Sequence, residues 1–116
     1  MAAKSGKANY IPSRGDFIWL QFDPQAGYEQ AGHRPALVLS PIVYNQRTGL
    51  LIACPITSQI KGYPFEVEVA EPSIKGVILT DQVKNLDWRQ REARFIATAG
   101  PHTIATVLEK IAVLLD

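Results

Sequence analysis

Cysteine is almost missing from this chain: of 116 residues one is Cys, Cys54. A lone thiol excludes a disulfide framework within the chain. Its place in the apolar run LLIACP predicts a buried small hydrophobe in a reducing compartment. Histidine is scarce too, with only His33 and His102, and neither Cys-x-x-Cys nor His-Glu-x-x-His spacing occurs, so no metal site is expected. Neither sign of charge is in excess. Twelve Lys and Arg against eleven Asp and Glu leave a net +1, so any anion site must be local rather than a property of the whole surface. Long apolar runs are absent as well. None reaches the roughly 18 residues that a spanning helix requires, and the opening MAAKSGKANY has no apolar signal core. The expectation is a cytoplasmic protein with no membrane association.

What is present is a globular composition, 47% apolar and 20% charged. The length suits one domain, expected over residues 10–116, after a flexible basic extension at 1–9 carrying Lys4 and Lys7. Short β-rich runs separated by Pro, Gly and Asn fill most of it: 16–22, 36–40 (bounded by Pro35 and Pro41), 49–56, 63–69, 76–83 and 94–99. In the fourth run Phe65, Val67 and Val69 alternate with Glu66 and Glu68, the pattern of a half-exposed antiparallel strand. After Pro101 the spacing changes. Ile104, Val107, Leu108, Ile111 and Leu115 recur at helical intervals and predict one terminal helix packed on the sheet. Helices do not alternate with strands, so a doubly wound α/β fold is disfavoured. A small barrel or coiled sheet is expected, with self-association covering an edge or apolar flank. Trp19 and Trp88 are the candidates for such a flank, with the core as the expected place of Trp19.

Two loops carry candidate chemistry. The first, Asp23 to Arg34, gathers Glu29, His33 and Arg34 before an apolar strand. Pro35 biases Arg34 towards an extended backbone, which would fix a planar five-donor fork at the strand root, suited to a phosphate. The alternative is a surface arginine paired with Glu29 or Asp23. The second loop, Cys54 to Phe65, offers Thr57, Ser58, Gln59, Lys61 and Tyr63 at the end of another apolar strand. Hydroxyls, an amide and an ammonium suit phosphate oxygens and base edges, and a tyrosine can stack on a base. The same residues are also ordinary loop composition. Antiparallel neighbours would bring both strand ends together. No nucleophilic triad is signposted, and the carboxylates are too scattered for a two-metal centre. What remains is metal-free RNA cleavage through the substrate's own 2′-hydroxyl, with Arg34 and Thr57 stabilising charge and Glu29 or His33 moving the proton.

The blocks GD-x-x-W (Gly15, Asp16, Trp19), EQAGHRPALVLS, P-x-TSQ-x-KGYPFEV and DQVK-x-L-x-W follow one another in this order from about Tyr10 to the end. In them the chain resembles the MazF/PemK family of toxin endoribonucleases. The resemblance implies a mainly β fold, a small SH3-like (PemK/CcdB-like) barrel of curved antiparallel strands with a C-terminal helix, acting as a homodimer. It implies metal-independent, cofactor-free, sequence-specific cleavage of single-stranded RNA to a 2′,3′-cyclic phosphate and a 5′-hydroxyl. The family's catalytic arginine and threonine fall on Arg34 and Thr57, and an acid that matters in relatives falls on Glu29. His33 is a candidate acid or base. The expected RNA contacts are Gln30, Ser58, Gln59, Lys61, Tyr63 and Gln82. The implied partner is a small acidic antitoxin, with operator DNA bound only as the toxin–antitoxin complex. The same fold also houses a gyrase-inhibiting toxin, and a non-catalytic RNA-binding regulatory module is a further alternative.

Overall fold

The computed structural model describes residues 9–21 and 33–116. Three apolar runs become the centre of the sheet: β1 (Asp16–Gln21), β2 (His33–Val38) and β3 (Leu50–Thr57). Around them lie β4 (Glu66–Glu68), β5 (Val77–Leu79), β6 (Lys84–Asp87) and β7 (Arg94–Thr98). Two helices, α1 (Ile42–Thr48) and α2 (Pro101–Leu114), complete the described chain. All ladders are antiparallel, and their path runs β4-β5-β3-β2-β1-β7 with β6 also on β3. One edge of β3 serves β2. Its other edge is divided, with Leu50–Ala53 paired to β6 and Ile56–Thr57 to β5.

The continuous apolar runs make sense because the central strands are buried on both faces. Phe17, Leu37, Cys54 and Ile56 project to one side, against Val67, Ile78 and Val107. Ile18, Leu20, Ala36, Val38 and Ala53 project to the other, against Tyr10, Leu86 and Trp88. Burial of each large aliphatic or aromatic side chain contributes about 1.5–3 kcal/mol. Buried Asp16 ties the leading segment down, accepting from the Tyr10 hydroxyl at 2.7 Å and the Ser13 N–H at 3.1 Å. Burial, with the carboxylate beside it, pushes the Tyr10 phenol well above its usual pKa.

Several expectations are met, and others are corrected. A mainly β sheet with a C-terminal helix is present, and α2 buries the predicted Val107 with Ile104 and Ile111 packed around it. Barrel closure is not: among the described residues no ladder joins β4 to β7, so the sheet is open. The expected bounding role of Pro35 fails, because β2 runs through it to His33, with Pro35 opposite Trp19. The run 63–69 yields only Glu66–Glu68, and 76–83 splits into β5 and a 3₁₀ turn at Thr80–Gln82, where the Thr80 hydroxyl donates to the Phe65 carbonyl at 2.7 Å. Trp19 is not a core residue. It is 39% exposed, whereas Trp88 is 7% exposed. Neither α1 nor β6 carries a periodic apolar pattern in the sequence. The first is only seven residues long, closed by Gly49 in the left-handed region (φ 74°), and the second is polar at three of its four positions.

Asn45 explains why so short a helix holds. Fully buried, it donates to the carbonyls of Pro12 (2.8 Å) and Ser40 (3.1 Å) and accepts from the Ser40 hydroxyl at 2.6 Å. That hydroxyl accepts from the Ile52 N–H at 2.8 Å, and the Trp88 indole donates to the Asn45 carbonyl at 2.9 Å. No helix among the described residues is long and apolar enough to cross a membrane.

Candidate functional site

The β2–β3 register pairs Val38 with Ala53, Leu37 with Cys54 and Ala36 with Pro55. Two residues further on, Arg34 comes level with Thr57, the last residue of β3. Directly opposed residues of antiparallel strands share a face, and both Arg34 and Thr57 line the same hollows at one end of the sheet. Proline at 35 has no N–H to continue a ladder there. Arg34 is exposed, and among the described residues no hydrogen bond or ion pair occupies its guanidinium.

Thr57 is held from two sides. Its Oγ1 accepts from the Gln59 N–H at 3.1 Å, which leaves the hydroxyl proton free to donate. Behind it stands Gly76, at φ 134°. A Cβ there would lie 2.2 Å from the Thr57 carbonyl oxygen and 2.8 Å from its carbon, so only glycine allows β5 to start against this strand end. The following loop is shaped by Glu66, whose carboxylate accepts from the Lys61 N–H (3.0 Å) and the Gly62 N–H (2.8 Å). Tyr63 donates its hydroxyl to Asp81 at 3.0 Å. That hydrogen bond, ahead of desolvation and the charges of Asp81 and Glu66, raises the phenol's pKa. Lys110 of α2 donates to the Pro64 carbonyl at 2.7 Å and fastens the loop to the helix.

Two hollows meet at the Arg34–Thr57 pair. The smaller, about 240 Å³, is lined by Arg34, Thr57, Gln59, Lys61, Tyr63 and Gln82, with Glu66 and Leu79. The larger, about 500 Å³, shares Arg34, Thr57 and Gln59 and adds Ser58. Thus Arg34, Thr57, Ser58, Gln59, Lys61, Tyr63 and Gln82 are brought together. His33 is exposed, pairs with Gln21, and lines neither hollow. Glu29 and Gln30 lie outside the described residues, as do residues 1–8 of the extension. Cys54 is fully buried beneath the site, and burial, reinforced by the charge of Asp81, pushes its thiol up to about 12. It is a packing residue with no thiolate to offer. Sequence reasoning missed Trp19, Ser73, Lys75 and Gly76. Gly76 alone carried a local signal, a glycine at the mouth of a β-branched run.

One end of the sheet thus gathers guanidinium, hydroxyl, amide and ammonium donors, on a small β fold with one packed terminal helix. The chain belongs to the PemK-like, MazF-like toxins of type II toxin–antitoxin systems, whose family model matches residues 13–115. It is 49% identical over 108 residues to the endoribonuclease toxin MazF of Escherichia coli K12, covering 93% of this chain and 97% of that one. The crystal structure of MazF from Deinococcus radiodurans superposes with a TM-score of 0.84 at 52% identity, over 92% of this chain and 98% of its own. A MazE–MazF crystal structure from the same organism gives 0.82 at 46% identity, over 92% and 97%.

Proposed function

We propose that this protein is an endoribonuclease toxin that cuts single-stranded RNA without a metal ion, using the substrate's 2′-hydroxyl as nucleophile. The observation that carries this is the meeting of Arg34 and Thr57 between two donor-lined hollows, in a chain of this family. The 2′-oxygen attacks the adjacent phosphorus and the 5′-oxygen leaves, giving a 2′,3′-cyclic phosphate and a 5′-hydroxyl. Negative charge builds on the non-bridging oxygens in between. Arg34 is placed to neutralise it, and the Thr57 hydroxyl to donate to it. Each such donor is worth about 3–4 kcal/mol in the transition state. Glu29 or His33 takes the proton of the 2′-hydroxyl, the departing 5′-oxygen takes a proton from solvent, and Gln30 joins Ser58, Gln59, Lys61, Tyr63 and Gln82 in holding the strand.

Residues 10–116 then act as one cytoplasmic toxin domain, with 1–9 as a basic extension. The protein works as a homodimer. An apolar groove of about 400 Å³, lined by Tyr44, Ile52, Val83 and Leu108 among others, supplies surface for a second copy, with Val83 and Leu108 each about 40% exposed. A small acidic antitoxin fits the cation-lined hollows and would silence the enzyme by occupying them. Operator DNA is bound only by the toxin–antitoxin pair.

Incubation of the purified protein with mixed-sequence RNA in EDTA, followed by end mapping, tests this. Discrete cuts with cyclic-phosphate ends are expected. Absence of discrete cleavage across a broad sequence library overturns the assignment, as does inhibition of DNA gyrase without any RNA cleavage. RNA binding without cleavage products would reduce the protein to a regulatory binding module.

A further inference from the structure

The larger hollow contains groups to which the catalytic scheme gives no task. Trp19 is the first. It sits on β1, an interior strand with β2 and β7 on either side, where Asp16, Phe17, Ile18 and Leu20 are all buried and Trp19 alone is left 39% exposed. An indole uncovered on an interior strand is a flat apolar platform. It lies across from Pro35, one position from Arg34, as one wall of the 500 Å³ hollow.

The turn that enters β5 supplies another wall, with Ser73 and Lys75. This turn is fixed in place. The Ile74 N–H donates to the Glu71 carbonyl at 3.0 Å, the Ser73 hydroxyl to the Glu71 carboxylate at 3.1 Å, and the Ile74 side chain is buried. Gly76, one residue on, is pressed against Thr57. Lys75 is therefore carried between two anchored neighbours. The hollow's charged lining is Arg34 and Lys75, with no carboxylate among the described residues that face it. A stacking face and two separated cations in a chain of net charge +1 match the repeating chemistry of a nucleotide strand, base and then phosphate.

We propose that this hollow is a nucleotide subsite beside the cut. Trp19 stacks on the base flanking the phosphate held by Arg34 and Thr57, and Lys75 neutralises the next phosphate along. The strand continues past the cut into the smaller hollow. The subsite rests on the endoribonuclease assignment and adds to it where, and by which residues, one flanking nucleotide is held.

The test uses the full chain and a short RNA spanning the mapped cleavage position, with a single 2′-deoxy at that position so that it binds uncut. Trp19→Ala is expected to weaken binding about 10- to 100-fold, the usual worth of one base–aromatic stack, and Trp19→Phe to restore most of it. Lys75→Gln is expected to lower the slope of log affinity against log salt by about 0.7, one phosphate of a single strand. The decisive arm alters the RNA instead of the protein. Replacing one flanking nucleotide by an abasic one should weaken wild-type binding and leave Trp19→Ala binding unchanged. If every abasic position costs the two proteins equally, or if Lys75→Gln keeps the full salt slope, the subsite is refuted while RNA cleavage stands. A wild type that neither cuts nor binds RNA removes the enzymatic assignment, and the subsite falls with it.

Discussion

The two ends of β3 are built on opposite plans. At Leu50–Ala53 the strand pairs with β6, and at Ala53 with β2 as well, and its surroundings are closed. Asn45, Ser40 and Trp88 exchange hydrogen bonds among themselves and with Ile52, and the Arg89 guanidinium lies 5.0 Å over the Trp88 ring. Among the described residues no buried side-chain polar atom lacks a partner. At Ile56–Thr57 the strand opens into two hollows, beside an exposed indole and a guanidinium with no described partner. At one end the polar side chains are paired within the fold, and at the other they line open hollows. Such division is expected where function requires local rules to be broken and rigidity must come from elsewhere.

The contrast can be broken from either end. Arg34→Ala should have the largest effect on activity, a fall in kcat/KM of at least 10²–10³-fold, about 3–4 kcal/mol. Thermal melting should stay near wild type, because an exposed side chain with no described partner is removed; quantitative RNA cleavage beside a melting curve checks both. Asn45→Ala should do the reverse. Leaving the buried Pro12 carbonyl and the Ser40 carbonyl and hydroxyl short of a partner should cost about 2–4 kcal/mol of folding stability, read by urea unfolding. The protein that remains folded should cut RNA at the normal rate.

Gly76→Ala lies between these extremes. Its Cβ would press on the Thr57 carbonyl, so both ends of the ledger move: about 100-fold in kcat/KM from a displaced hydroxyl, and roughly 1–3 kcal/mol from strain at a positive φ. Loss of stability with full activity would show that Thr57 tolerates displacement. The smallest effect is expected at Cys54. Its thiol is raised to about 12, so the fold favours the protonated form. That contribution is complete below about pH 9 and is lost as pH rises towards 12. In the native protein at pH 8, iodoacetamide should leave Cys54 unmodified until denaturant is added.

How much of this was legible beforehand depended on whether a feature was local. Arg34 before Pro35 and Thr57 at the close of an apolar run could be read directly, and antiparallel pairing then brought them level. Cys54 announced its burial by its neighbours. Trp19 could not be placed this way, because its exposure depends on which distant segments stop short of covering it. Its β-strand context looked the same as that of Phe17. Lys75 and Ser73 reach the site only through the turn into β5, some 40 residues from Arg34 in sequence. Helix α1 has too few residues for an apolar period, and its stability comes from a buried asparagine whose partners lie as far away as Pro12. Among the site candidates, Glu29 and Gln30 fall outside the described residues, and His33 is the one described candidate that the geometry leaves apart from the two hollows.

The uneven distribution of charge has a kinetic consequence. A chain of net charge +1 throws almost no field beyond the Debye length of about 8 Å at physiological salt. The cations around Arg34 are felt only by a strand already at the doorstep. Arrival should therefore be nearly indifferent to ionic strength, while residence time should shorten steeply with it. Such a protein passes through a cell crowded with ribosomes and transcripts without adhering to each of them, and lingers only where a strand fits.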